Sequence, residues 1–100
     1  MSKLRPRLLI VDDDSAQLHA LCSTLKLEGF PNSGFTSATL ALATLRVQTF
    51  DLVLTDLKMP DMDGIEFLNA ARNLDPDIIG IVMTGNASVD TAVAAMKAGA

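Results

Sequence analysis

Short apolar runs along this chain are separated by segments in which apolar residues recur with helical spacing. Continuous runs of Leu, Ile and Val predict strands that are covered on both faces. One run, near residues 32–35, is more polar and follows Pro31, which favours a place at the edge of a sheet. The predicted strands are Leu8–Val11, Asn32–Phe35, Phe50–Thr55 and Ile78–Met83.

The segments between these runs have apolar residues at positions i, i+3, i+4 and i+7, which predicts amphipathic helices. In the first such segment the repeat consists of Leu18, Leu21, Cys22 and Leu25. We expect this helix to begin after Asp14 or Ser15 as N-cap and to end at Gly29. Further helices are predicted from the apolar positions of 38–45, over Ile65–Asn73 and from those of 89–96.

Strands that alternate with helices every twenty to twenty-five residues are typical of a parallel sheet built from right-handed βαβ units. The fold class predicted is therefore α/β, with the whole of 1–100 as a single domain. The chain ends in a predicted helix, so that the fourth strand is left at an edge. An apolar edge strand is a site of self-association. We therefore expect a C-terminally incomplete domain that self-associates through this strand.

Composition restricts the classes of function. The chain has 100 residues, of which 49% are hydrophobic and 20% charged, with a formal net charge of −4. This balance argues against disorder, and the absence of a basic cluster argues against direct binding to nucleic acid. No run reaches the roughly 20 apolar residues of a membrane span. The four apolar residues that follow the basic start of the chain are too few for the apolar core of a signal peptide. A cytoplasmic location is the expectation.

Acidic and hydroxyl side chains follow the predicted strands. Asp12 and Asp13 come directly after the first strand, Asp56 after the third and Thr84 after the fourth. If the first and third strands are neighbours, their carboxyl ends lie about 4.8 Å apart. Carboxylates that close raise each other's pKa unless a cation lies between them. Since Mg²⁺ prefers oxygen ligands, the sequence predicts a magnesium site here.

Two residues of this group have chemistry beyond holding a cation. A carboxylate such as Asp56 can act as a nucleophile and form an aspartyl phosphate, and a metal would offset the charge of the approaching anion. Thr84 can donate a hydrogen bond to a phosphoryl oxygen, and Gly85 beside it leaves space for that group.

Three motifs together resemble the signatures of a known family. They are Leu9-Ile10-Val11-Asp12-Asp13-Asp14, the segment from Leu54 to Gly64 with Asp56-Leu57-Lys58-Met59-Pro60 at its centre, and Met83-Thr84-Gly85. In combination they resemble the receiver domain of two-component response regulators, in register from about residue 7 to residue 100. The closing stretch is similar to receivers of nitrogen-regulator-type transcriptional activators.

The resemblance implies a flavodoxin-like (CheY-like) doubly wound sheet with strand order 2-1-3-4. It implies that Asp56 accepts a phosphoryl group from a sensor histidine kinase. Asp13, Asp56 and the backbone carbonyl of Lys58 would ligate Mg²⁺, with Asp12 acting through a water. Thr84 would be the switch hydroxyl, and an effector domain, ATPase or DNA-binding, would be the partner in the parent protein. The family also has a fifth strand and helix with a lysine, for which this chain offers no counterpart.

Other interpretations of these residues stay open. Asp14 is expected to cap a helix, and Asp61 and Asp63 to be loop and turn residues, with Gly64 giving backbone freedom. A Mg²⁺-dependent aspartyl phosphohydrolase is a second hypothesis, although Lys58 stands where such an enzyme has an acid. A third is a non-phosphorylated interaction module that kept the fold. We expect a switch and not an enzyme.

Overall fold

The computed structural model describes residues 6–83, in which a parallel sheet is covered by helices on both faces. The strand order is β2-β1-β3-β4, which confirms the predicted flavodoxin-like arrangement. The predicted fourth helix and Thr84 lie outside the described residues. The elements are β1 (Leu8–Val11), α1 (Ser15–Leu27), β2 (Asn32–Phe35), α2 (Ala38–Leu45), β3 (Leu52–Asp56), α3 (Gly64–Leu74) and β4 (Ile79–Met83).

The two faces of the sheet carry two separate hydrophobic cores. Successive side chains of a strand point to opposite faces, so Leu8 and Ile10 pack with α1 while Leu9 and Val11 pack with α2 and α3. All four are fully buried. This explains why β1 is continuously apolar: neither face of the strand meets water.

Helix α1 begins and ends as the sequence predicts. Asp14 is its N-cap, with the side chain accepting a hydrogen bond from Gln17 N at 3.1 Å. Gly29 follows the helix with φ of 92°, a left-handed conformation that glycine adopts without steric cost. The chain can therefore turn back at once into β2.

Strand β3 begins later than predicted, at Leu52 instead of Phe50. The side chain of Phe50 is buried in the core, but its backbone lies before the ladder. Asp51 instead pairs with Arg7, 44 residues away in the sequence: Arg7 N donates to Asp51 Oδ2 at 2.8 Å and Asp51 N donates to Arg7 O at 3.0 Å. An apolar run predicts which side chains are buried, and here a buried side chain, that of Phe50, lies outside the hydrogen-bonded strand.

Helix α3 is one residue longer at each end than predicted. Phe67 and Ala71 are fully buried, whereas Leu68 is only partly buried against the core. Phe67 lies four residues before Ala71, so the two stack on one face of the helix.

Both edges of the sheet fall where they were predicted within residues 6–83. Strand β2 pairs with β1 alone, and β4 pairs with β3 alone. Ile79 on β4 is 52% exposed, but self-association through this strand stays a prediction. None of the helices in this part of the chain combines the length and apolarity required to cross a membrane.

Candidate metal and phosphoacceptor site

The register of β1 and β3 brings two aspartates side by side. Ile10 lies opposite Leu54 in the parallel ladder, and both side chains belong to the core on the α1 face. Asp12 and Asp56 each come two residues later, so they point to that same face at the carboxyl end of their strands. The crevice outside those ends is the usual ligand site of an open α/β sheet.

Three carboxylates form a cluster at this crevice. One oxygen each from Asp12, Asp13 and Asp56 can be chosen so that all three lie within 4.8 Å of one another. Asp12 is buried, Asp56 is partly buried and Asp13 is exposed. The structure therefore brings together the three acidic side chains that the sequence singled out, and it leaves the mouth of the cluster open to solvent through Asp13.

Asp12 is held in an environment that disfavours its charge. Its side chain is 1% exposed, and Oδ1 accepts a hydrogen bond from Asp14 N at 2.9 Å. Oδ2 is buried without a hydrogen-bond partner among the described residues. Burial raises the pKa of Asp12, the amide of Asp14 opposes that rise, and the charges of Asp56 and Asp13 add to it.

Asp56 is oriented by the backbone that follows it. Its Oδ1 accepts a hydrogen bond from Leu57 N at 2.8 Å. The same amide lies 3.0 Å from the carbonyl oxygen of Met83, the last residue of β4. One carboxylate oxygen is therefore fixed by the main chain between β3 and β4, and the rotation of the side chain is restricted.

The donor set of this site suits a hard divalent cation. All three acidic side chains offer oxygen, which Mg²⁺ requires, and a buried anionic oxygen without a partner is costly unless a cation or donor reaches it. Asp12 Oδ2 is such an atom. The residues present therefore fit Mg²⁺. Lys58 lies in the loop after β3 with an exposed side chain, and the ligation by its carbonyl stays a prediction.

The loop after Asp56 returns very close to the strand it left. Gly64 N donates to Leu57 O at 2.7 Å, and a Cβ added to Gly64 would collide with the backbone carbonyl oxygen of Asp56. Among the described glycines only Gly29 has a positive φ. The expectation that Gly64 supplies backbone freedom is therefore wrong: it supplies space for a close approach.

Asp63 is the N-cap of α3 and not a turn residue. It forms a reciprocal capping box with Glu66, since Asp63 Oδ1 accepts from Glu66 N at 2.8 Å and Glu66 Oε1 accepts from Asp63 N at 3.0 Å. The spacing of an acid followed three residues later by Glu resembles the known capping signature. That signal was present in the sequence.

Asp61 accepts hydrogen bonds that the neighbouring sequence does not predict. Its Oδ2 accepts hydrogen bonds from Ser37 Oγ at 3.1 Å and from Thr39 N and Thr39 Oγ1, both at 3.0 Å. These bonds, with that of the Thr39 amide foremost, lower the pKa of Asp61 to about 2, although the side chain is exposed. The donors are 22 and 24 residues away in sequence, which is why the pairing was missed.

Such an arrangement can hold a cation and present a nucleophile to an anion. The cluster gathers negative charge that a divalent ion would neutralise, and Asp56 is the carboxylate at the end of the inner strand β3. A cation at this place would reduce the repulsion between Asp56 and an incoming phosphoryl group.

Comparisons with known proteins identify the family of the chain. The family model for the response regulator receiver domain matches residues 8–100. The chain is 40% identical over 95 residues to the C4-dicarboxylate transport transcriptional regulatory protein DctD of Rhizobium meliloti (strain 1021), and the match covers 95% of this chain and 21% of that protein. The chain thus spans about a fifth of that relative.

Solved structures show the same fold. A CheY-like response regulator receiver domain protein from Methanospirillum hungatei JF-1 is 40% identical, with a TM-score of 0.76 over 94% of this chain and 75% of that one. The beryllofluoride-activated NtrC4 receiver domain dimer is 35% identical, with a TM-score of 0.75 over 91% and 75%.

These matches confirm the family that the motifs implied. They include a transcriptional regulator and the NtrC4 receiver, as expected from the resemblance to nitrogen-regulator-type activators. This chain belongs to the response regulator receiver domain family.

Proposed function

We propose that this chain is a phosphoacceptor switch, in which Asp56 receives a phosphoryl group from a sensor histidine kinase. The observation that carries the proposal is the carboxylate cluster around the unpartnered Oδ2 of Asp12. Asp13, Asp56 and the backbone carbonyl of Lys58 would hold Mg²⁺, with Asp12 acting through a water. The bound ion would neutralise charge between Asp56 and the incoming phosphoryl group.

Asp56 supplies the nucleophile in this scheme. The Leu57 amide holds Oδ1, so Oδ2 is the oxygen that attacks phosphorus. The new O–P bond forms as the P–N bond to the kinase histidine breaks, and the histidine nitrogen departs with the electron pair. The phosphoryl group adds roughly −1.5 to −2 charge at Asp56.

The readout of this charge would pass through β4. Leu57 is bonded to both Asp56 and Met83, so the end of β4 is mechanically connected to the acceptor. Thr84, the next residue, would donate its hydroxyl to the phosphoryl group and move inward. A coupling free energy of about 1–3 kcal/mol suffices for a useful shift between two states.

The output would be control of an effector domain in a longer cytoplasmic protein. DctD is a transcriptional regulatory protein of which this chain matches a fifth, so we propose a transcriptional output. The beryllofluoride-activated NtrC4 receiver domain is a dimer, and we propose a change of association as the switching step of this chain. The chain itself would act as a switch and not as an enzyme.

Labelling with acetyl phosphate in the presence of Mg²⁺ tests the acceptor. The parent chain, by which we mean the 100-residue chain without substitutions, should gain one phosphoryl group by intact-mass spectrometry. Asp56→Asn should gain none because it lacks the nucleophile. Asp63→Asn is the matched control, since it removes the same charge from the same loop and asparagine still caps a helix. Undiminished labelling of Asp56→Asn would refute the assignment.

The same experiment addresses the two other hypotheses. Steady release of many equivalents of phosphate from acetyl phosphate or phosphate monoesters would favour a phosphohydrolase. A parent chain that neither binds Mg²⁺ nor becomes labelled would favour a non-phosphorylated interaction module.

A further inference from the structure

Asp61 connects the loop after β3 to the start of α2. A single oxygen, Oδ2, accepts hydrogen bonds from Ser37 Oγ, Thr39 N and Thr39 Oγ1 at 3.0–3.1 Å. Ser37 is the N-cap of α2 and Thr39 lies in its first turn. We call this set of contacts the Asp61 clamp. It joins segments more than twenty residues apart in the sequence.

The clamp suits an anion at this position. Ser37 Oγ accepts from Leu40 N at 3.3 Å, which leaves the Thr39 amide to be satisfied by another acceptor. Asp61 meets that need with a charged oxygen at the positive end of the helix dipole. Hydrogen bonds to an ionised acceptor are roughly twice as strong as neutral ones. The lowered pKa of Asp61 agrees with this geometry.

The loop that Asp61 belongs to is otherwise anchored near its ends. At its start, Leu57 O accepts from Gly64 N at 2.7 Å and Leu57 N is held by Asp56 Oδ1. Met59 and Met62 pack against the core on the α2 and α3 face. Asp61 lies between these two methionines in the sequence. Its hydrogen bonds to the start of α2 fix the middle of the loop against that helix.

This loop also carries Lys58, whose backbone carbonyl is the third ligand of the proposed metal site. A carbonyl has no torsion of its own, so the position of its oxygen is decided by the path of the loop. A ligand atom that lies 1 Å away from its productive position contributes much less to the affinity for the metal.

We propose that Asp61 is a positioning residue for metal binding: by clamping the loop to the N-terminus of α2, it holds the Lys58 carbonyl towards Asp13 and Asp56. This inference rests on the proposed function. Removing the clamp should weaken the affinity for Mg²⁺ and leave the phosphorylation rate at saturating Mg²⁺ unchanged, because Asp61 touches neither the ion nor the phosphoryl group.

The test compares Asp61→Asn with Asp63→Asn in the 100-residue chain. Both variants lose one negative charge from the same loop, so a general electrostatic effect on Mg²⁺ appears equally in both. Isothermal titration calorimetry with MgCl₂ gives the dissociation constant, and acetyl phosphate labelling over a range of MgCl₂ gives the half-saturating concentration. We expect Asp61→Asn to raise both about tenfold, the low end of the loss in metal affinity when a group that orients a ligand is removed.

A variant on the other side of the clamp separates positioning from loss of charge. Thr39→Val removes one donor and leaves the net charge unchanged, so we expect a smaller rise in the Mg²⁺ dissociation constant. In the double variant Asp61→Asn/Thr39→Val the two effects should not add, because both break one clamp. Thermal melts confirm that each variant is folded at the titration temperature.

The outcomes distinguish this inference from the proposed function. A parent chain that binds no Mg²⁺ overturns both. A parent that binds Mg²⁺ and is labelled at Asp56, with Asp61→Asn no weaker than Asp63→Asn, overturns the clamp alone. A lowered labelling rate of Asp61→Asn at saturating Mg²⁺, with an unchanged dissociation constant, also overturns it.

Discussion

Asp12 and Asp61 are the same kind of side chain in opposite situations. Asp12 is 1% exposed and has one oxygen without a hydrogen-bond partner among the described residues. Asp61 is exposed, and one of its oxygens accepts three hydrogen bonds. Burial raises the pKa of Asp12, whereas hydrogen bonds lower the pKa of Asp61 to about 2.

The difference separates a binding group from a structural one. A carboxylate whose folded-state pKa is raised opposes folding when it is ionised, so its effect on stability worsens as the pH rises above 3.8. A carboxylate whose folded-state pKa is lowered stabilises the fold once ionised. Asp12 is therefore held at a cost that a cation can offset, and Asp61 contributes to the fold by itself.

We expect the greatest loss of stability from a substitution where the loop that carries Asp61 meets the strand that ends at Asp56. Gly64 returns the loop of Asp61 to the strand of Asp56, and Gly64→Ala places a Cβ against the Asp56 carbonyl oxygen. We expect a loss of about 3 kcal/mol in the free energy of unfolding, the upper end of the cost of overpacking. Urea denaturation measures it.

Gly29→Ala is the comparison variant for this prediction. It lies after α1 with φ of 92°, so alanine there costs about 1 kcal/mol through backbone strain alone. A Gly64→Ala chain that is as stable as the Gly29→Ala chain would contradict the close approach.

Neutralising Asp12 should have an intermediate effect of the opposite sign. Asp12→Asn keeps an Oδ1 acceptor for Asp14 N and turns the unpartnered oxygen into a donor facing two carboxylates. We expect the Mg²⁺-free variant to be more stable by about 1 kcal/mol, the low end of the cost of an unsatisfied buried group. Guanidinium denaturation at pH 7 measures this. Asp63→Asn is the control, and a destabilised Asp12→Asn would show that the charge of Asp12 is already compensated.

The smallest effect is expected at the clamp. Asp61→Asn should lower Tm by about 2–4 °C at pH 6, which for a domain of this size corresponds to a loss of about 0.5 kcal/mol, as expected for an exposed charged contact. Because the pKa of Asp61 is about 2 in the folded chain against an ordinary 3.8, its stabilisation is present above about pH 4 and is lost as the pH falls through 2. Thermal melts of both chains between pH 6 and 2 should therefore converge at the acid end. A constant difference down to pH 2 would show that ionised Asp61 is not the cause.

Sequence alone was sufficient where a regular period governs the structure. The two-residue period of β1 and β3 places Asp12 and Asp56 on one face, so their convergence followed from strand order. The capping box of Asp63 and Glu66 was missed, although its signal, an acid followed three residues later by Glu, is present in the sequence. The burial of Phe67 depends on how α3 rotates against the sheet, which its apolar positions alone left ambiguous.

Long-range contacts that the order and register of the strands do not determine could not be predicted from the sequence. Nothing near Asp61 indicates Ser37 or Thr39 as donors, because only the folded chain brings α2 beside the loop. The need for space at Gly64 is likewise a property of the close approach to Asp56. The unpartnered oxygen of Asp12 depends on where every neighbouring donor lies in three dimensions.

Asp12, Asp13 and Asp56 are proposed to form a cation site that is incomplete without its ion. The most direct test is the free energy of unfolding of the parent and of Asp12→Asn, each with and without MgCl₂. At ten times a dissociation constant of about 1 mM, Mg²⁺ should stabilise the parent by about 1.4 kcal/mol and Asp12→Asn by far less. Equal stabilisation of the two chains, or none in the parent, would show that these carboxylates do not bind Mg²⁺ as proposed.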